Sequence, residues 1–202
     1  MDHVMTDGHG HAHDHHGDHE QIKIDGFWIF LVSDVLLFGS IFATFVVLRT
    51  NYAGGPTAKD IIDVRGFIIE TFLLLTSSFT SGLATLEMHK SRVKPMIAWL
   101  IVTLLLGLGF IYFEVNEFTN LALEGASFTR SAFLSAFFTL VGTHGCHVSL
   151  GIIWMTGILI QVGIHGLTAV TRRKLFIVGL YWHFLDAVWI FIFTVVYLIG
   201  VM

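Results

Sequence analysis

The 202 residues are 54% apolar and only 13% charged, with a mean hydropathy of +0.76, which excludes a soluble domain of ordinary composition and makes a bilayer the expected solvent. The formal charge of -4 is near balance, and no basic stripe runs through the chain, so nucleic acid is not an expected partner. Two prolines and 19 phenylalanines favour long uninterrupted helices, which satisfy their own backbone where water is absent. A barrel would show alternating polarity, and none is visible. The single cysteine, Cys146, lies in an apolar run and has no intrachain disulfide partner.

Residues 1–25 carry seven histidines (His3, His9, His11, His13, His15, His16 and His19) among Asp, Gly and Ala. With almost nothing to bury, this segment is predicted to be a disordered, solvated tail. It lacks the basic n-region of a signal peptide, so the first apolar run is expected to be retained. That run, FWIFLVSDVLLFGSIFATFVVL, predicts a first span over about 27–48. A polar loop follows, broken at Gly54-Gly55-Pro56-Thr57 and charged at Arg49, Lys59, Asp60, Asp63 and Arg65. A second span is predicted over about 67–86, and a short turn carrying Glu87, His89, Lys90, Arg92 and Lys94 then leads to Pro95, placed at the first position of the next helix. The third span is predicted over about 96–113. An acidic stretch with Glu114, Glu117 and Glu124, ending at Arg130, separates it from a fourth span over about 133–162, long enough to tilt or protrude. Arg172, Arg173 and Lys174 precede a fifth span over about 175–201. The expected fold is therefore all-α, with a five-helix transmembrane domain over 26–202.

Lys and Arg orient the chain. The side of the N-terminal tail holds Lys23, Lys90, Arg92, Lys94, Arg172, Arg173 and Lys174, whereas the other holds Arg49, Lys59, Arg65 and Arg130. The excess on the first side predicts a cytoplasmic N-terminus and, after five spans, a periplasmic C-terminus. No internal repeat is visible, which weighs against a secondary transporter built from related halves.

Ionisable side chains inside a span cost at least about 2.5 kcal/mol on insertion scales, so each asks for a partner or a purpose. Asp34 in the first span is too short to reach the surface. It is either a carboxylate in a proton path or against a lipid headgroup, or an acid hydrogen-bonded to a neighbouring helix. Glu70, nearer a helix end, suits a structural or interfacial role. His144 and His147 are three residues apart on one helix face, as are His183 and Asp186. These two pairs could assemble a metal site of imidazole and carboxylate, or His144 and His183 could bracket a haem. Gly142, Gly145 and Gly151 around the first pair instead suit close helix contact, with the histidines as interhelical hydrogen-bond donors, and packing is the preferred account. The tail histidines have no preformed geometry and would bind metal only adventitiously. Trp28, Trp99, Trp182 and Trp189 suit interfaces and core packing.

Several segments together resemble a known family over Gly26 to Met202. They are GFWIFLVSDVLLF with its acid after a serine, His144-Gly145-Cys146-His147-Val148 in the fourth span, and YWHFLDAVWIFIFTVVYLIG with Trp182, His183, Asp186 and Trp189 in the fifth. The pattern is similar to the third subunit of haem-copper terminal oxidases. The five-helix length, the GGPTAKDI loop, ETFLLLTSS and the histidine-rich tail resemble the form found in cytochrome bo-type ubiquinol oxidases, preferred here over the cytochrome c oxidase form.

That resemblance implies a non-catalytic subunit of the bacterial cytoplasmic (inner) membrane, with no cofactor of its own. Haems, copper and proton pumping would reside in the large subunit I, which couples quinol oxidation to reduction of oxygen to water. This chain would pack beside subunit I, with subunits II and IV in the same complex. Its helices would form a V-shaped arrangement whose cleft holds phospholipid. Asp34 would face subunit I near the mouth of its proton-uptake path, although it is a methylene shorter than the glutamate common in mitochondrial-type relatives. Glu70, His144, His147, Trp182, His183 and Asp186 would brace the helix interface or meet lipid headgroups. The rivals are a small proton or metal permease, which would work without partners, and a b-type cytochrome, which would carry haem in the isolated chain.

Overall fold

A computed structural model describes residues 14–51, 64–123 and 131–198. Among them there is no strand, and five α-helices follow one another: α1 (Asp14–Leu48), α2 (Val64–His89), α3 (Val93–Leu123), α4 (Ala132–His165) and α5 (Ala169–Phe193), the last passing into a π-helical turn at Thr194–Leu198. Each holds a segment long and apolar enough to cross a membrane, namely Asp25–Leu48, Arg65–His89, Val93–Leu123, Ala132–His165 and Ala169–Val196. The described residues make an all-α polytopic membrane protein with five transmembrane helices.

The expected spans 67–86 and 133–162 lie inside α2 and α4, but other bounds differ for a shared reason: an apolar run ends where charge begins, whereas a helix ends where its hydrogen bonds end. α1 begins at Asp14, ahead of the expected start near Phe27, and residues 1–13 of the expected tail lie outside the described residues. α3 continues through Glu114 and Glu117, placed in a loop by their charge, because no Gly or Pro interrupts the ladder between Phe110 and Leu123. Arg172, Arg173 and Lys174 belong to the first turns of α5 instead of preceding it. Pro95 stands in the first turn of α3 but not at its first position, and its missing N–H still costs no helical bond there. The Gly54–Thr57 breaker, Lys59, Asp60, Asp63, Glu124, Arg130 and the end of the fifth span fall outside the described residues.

The helix ends are built by local chemistry. Ser131 caps α4, its Oγ accepting from the Leu134 amide at 3.1 Å. Thr168 and Thr171 bond reciprocally in a capping box that starts α5. Gly166, at φ 71°, closes α4 in the left-handed region open to glycine. After α2, Ser91 takes φ 59°, and the Arg172 guanidinium donates to Ser91 Oγ at 2.6 Å, tying the start of α5 to the α2–α3 turn.

The chain divides after Leu37 into two compact units. In the first, α1 exposes Trp28, Ile29, Val32, Val35 and Leu36 and buries Leu31 and Asp34. In the second, α2 packs on α3 and α5, and α4 packs on the same two helices, so the four close a ring. The last turns of α1 lie against this ring through Phe45 on Phe133 (6.0 Å between centroids) and Phe42 on Phe191 (6.4 Å). A groove of about 230 Å³ runs there between Ser40, Ile41, Thr44 and Leu48 of α1 and Ser135, Ala136 and Thr139 of α4.

Inside the ring the indole of Trp182 occupies a slot cut by two glycines. A Cβ at Gly107 of α3 would stand 2.9 Å from its Cη2, and one at Gly151 of α4 3.1 Å from its Cζ3. Its Nε1 donates to Ser77 Oγ of α2 at 2.8 Å. Gly107→Ala is therefore expected to destabilise the folded chain by about 1–3 kcal/mol through overpacking. Gly157→Ala, where nothing lies within 4 Å, should change stability by less than about 1 kcal/mol. Unfolding by SDS titration in mild detergent, followed by circular dichroism, checks both.

Candidate functional site

Polar side chains of the helix ring fall into two layers. The first lies toward the face where α2 and α4 begin. Glu70 of α2, Glu114 of α3 and His144 of α4 are 1%, 4% and 0% exposed, and Glu70 lies within direct electrostatic reach of Glu114 and Glu117. The Glu114 carboxyl is pressed onto the backbone of Gly145, where any Cβ would collide with it. One oxygen of Glu70, one of Glu114 and both ring nitrogens of His144 are buried without a hydrogen-bond partner. The imidazole of His144 is walled instead by Trp189 (5.1 Å between centroids), Phe110 (5.8 Å) and Phe38 (6.4 Å). Trp189 stacks on Phe67 and donates from Nε1 to Thr71 Oγ1 at 3.1 Å, next to Glu70 in sequence. Aromatic packing thus holds His144 in place, and the Thr71 hydroxyl fixes Trp189 beside it.

The second layer lies midway through the bundle. Thr80 and Thr103 share a hydrogen bond of 2.8 Å between α2 and α3, beside the Trp182–Ser77 bond. His183 Nδ1 and Ser78 Oγ are 2.7 Å apart, and Asp186 also hydrogen-bonds Ser78 and lies beside His183. Ser78 is buried, Asp186 half-buried and His183 exposed. His147 donates from Nδ1 to its own helix at Thr143 O, 2.7 Å away, and the Tyr181 hydroxyl donates to His147 O at 3.2 Å.

The structure thus places the expected residues as follows. His183 and Asp186 meet on Ser78, His144 and His147 share the ring of Phe38, Trp182 fills the glycine slot, and Glu70 joins an acid cluster. Asp34 is buried on α1 at 6% exposure. The expectation of His144 as an interhelical donor is corrected, since its nitrogens make no hydrogen bond and its contacts are aromatic. Cys146 is on the exposed face of α4. The two histidine pairs do not combine: among the described residues no three His, Cys, Asp or Glu side chains are grouped to hold a metal ion. Haem does not fit either, because rings at 5–6 Å enclose His144 while His183 faces outward. Sequence reasoning missed Glu114 and Glu117 as members of the interior, and Ser77 and Ser78 as partners. The available signals were the helical spacing of Phe110, Glu114 and Leu121 and the paired hydroxyls in an apolar run.

If the Glu114 carboxyl requires the bare backbone at position 145, Gly145→Ala should destabilise the chain by about 1–3 kcal/mol. In the Glu114→Ala background the same change should cost markedly less. A double-mutant cycle on detergent unfolding measures the coupling, and strictly additive losses would contradict the contact.

Comparison with known proteins bears out the resemblance carried by these motifs. Residues 3–201 match the family model described as cytochrome c oxidase subunit III. The chain is 54% identical over 180 residues to quinol oxidase subunit 3 of Bacillus subtilis, covering 89% of this chain and 88% of that protein. It is 50% identical over 198 residues to cytochrome bo(3) ubiquinol oxidase subunit 3 of Pseudomonas aeruginosa, covering 97% and 95%. A probable quinol oxidase subunit 3 of Staphylococcus epidermidis is 49% identical over 176 residues, covering 87% and 88%. With the family model spanning nearly its whole length and half its residues shared with these relatives, this chain belongs to the cytochrome c oxidase subunit III family.

Proposed function

We propose that the chain is the non-catalytic third subunit of a quinol oxidase in a bacterial inner membrane, where the complex couples quinol oxidation to oxygen reduction. The observation that carries this is the near full-length identity of about half to proteins named as quinol oxidase subunit 3. The quinol form is preferred to a cytochrome c oxidase because those names agree across the relatives described above. Haems and copper belong to subunit I, and this chain packs against subunit I with subunits II and IV in the same complex. Its own contribution is stability and lipid binding.

Within this reading the N-terminus is cytoplasmic and the C-terminus periplasmic, supported by the excess of Lys and Arg on the N-terminal side. Asp34 meets subunit I near its proton-uptake path, and phospholipid fills a V-shaped cleft. Glu70, His144, His147 and Trp182 brace helices, an assignment supported by the burial of Glu70, His144 and Trp182 and by the ring contacts of His144 and His147.

Purification through a tag on this chain in mild detergent should bring down a large haem-bearing polypeptide that oxidises ubiquinol. A lone, colourless chain would favour the permease, and a lone haem-bearing chain the b-type cytochrome. Deleting the chain should leave initial oxidase activity in the remaining subunits but shorten its lifetime at raised temperature. Complete loss of ubiquinol oxidation together with all haem would contradict a purely stabilising role.

A further inference from the structure

His183 is exposed on α5 halfway along Ala169–Val196, and its partner Ser78 stands halfway along Arg65–His89. At 1.5 Å rise per residue both lie about 16–21 Å from the ends of their spans, more than half of a hydrocarbon core about 30 Å thick. Lysine or arginine can snorkel part of such a distance on a long stem, but an imidazole cannot. Acyl chains offer neither donor nor acceptor, so lipid would leave the outer ring nitrogen of this exposed imidazole unsatisfied.

The polar centre has a fitting surround. Gly82, one turn beyond Ser78, has open space where a Cβ would be, and Ala187, one turn beyond His183, is exposed. Small residues at these positions let a second backbone come close. Leu75, Phe79 and Ile190 form an exposed apolar rim around them, as at the edge of a packed helix contact.

The Ser78 hydroxyl joins His183 Nδ1 and Asp186. The imidazole Nε2, at the other side of the exposed ring, is left to a group outside the chain, as donor or acceptor according to the tautomer. We propose that this face of α2 and α5, centred on Ser78, His183 and Asp186, is the seat of a transmembrane helix from another oxidase subunit that presents a polar side chain to hydrogen-bond the imidazole at mid-bilayer depth. The proposal rests on the subunit reading given above.

Two measurements on the assembled complex test it. In the first, p-benzoylphenylalanine replaces Phe79, a nearly isosteric change at the rim, and the complex is irradiated after purification through a tag on this chain. A covalent adduct with a second polypeptide of the complex is expected. Co-purification without such an adduct overturns the seat while leaving the subunit reading intact; failure to co-purify with a haem-bearing subunit overturns the subunit reading itself. In the second, His183→Leu is expected to lower retention of the chain in the complex about three- to tenfold, the range that interhelical hydrogen bonds support, with His183→Gln retaining most of it. Circular dichroism of each purified variant confirms that its helices persist. A face meeting lipid predicts the opposite, since leucine is the better neighbour of acyl chains, so equal or improved retention of His183→Leu overturns the proposal.

Discussion

Trp182 is the side chain on which the other helices of the ring converge. Its indole fits between Gly107 of α3 and Gly151 of α4, and its N–H reaches Ser77 of α2. In a bilayer no hydrophobic force separates helix surface from lipid, so association depends on close packing and on hydrogen bonds that lipid cannot replace. A large flat ring in a slot of bare backbone supplies the first, and the indole N–H the second. The same logic repeats one layer away, where Trp189 stacks on Phe67, meets Phe110 edge-on and donates to Thr71. Two tryptophans seven residues apart, two helical turns on one face of α5, thus hold α2, α3 and α4 around a common axis.

The polar groups that accompany these rings divide by where they point. Glu70, Glu114 and His144 are sealed inside, and the acids are near enough to one another for their charges to matter. His183 opens outward from the middle of the bundle, bonded to the buried Ser78 beside the half-buried Asp186. The sealed layer stiffens the interior at the cost of burying polar atoms that lack full satisfaction, which is tolerable where the surrounding packing leaves them no alternative. An outward group in the middle of the bundle has no such enclosure within one chain.

In this member of the oxidase subunit III family many polar side chains take part in helix packing. The histidines that invite a metal interpretation are spent on other contacts: His144 on three aromatic rings, His147 on its own helix, His183 on Ser78. The exposed faces are correspondingly rich in large apolar side chains, from Ile29 and Leu36 on α1 to Phe72 and Phe79 on α2 and Phe191 on α5.

The number of membrane-spanning helices was legible in the sequence because apolar runs of about 20 residues admit one solution in a bilayer. The family was legible too, because His144-Gly145-Cys146-His147-Val148 and the Trp182–Trp189 stretch are specific strings. Spacing alone paired His183 with Asp186, since three residues along a helix means one face. What spacing could not supply was the partner across the gap: Ser78 on α2, or the Gly145 backbone that receives Glu114. Nor could it tell the end of an apolar run from the end of a helix, and so Glu114 and Glu117 were assigned to a loop. Hydropathy is a property of each residue and is written in the chain. Which residues of different helices touch depends on rotation and depth of each helix against its neighbours, and only the tertiary structure decides that.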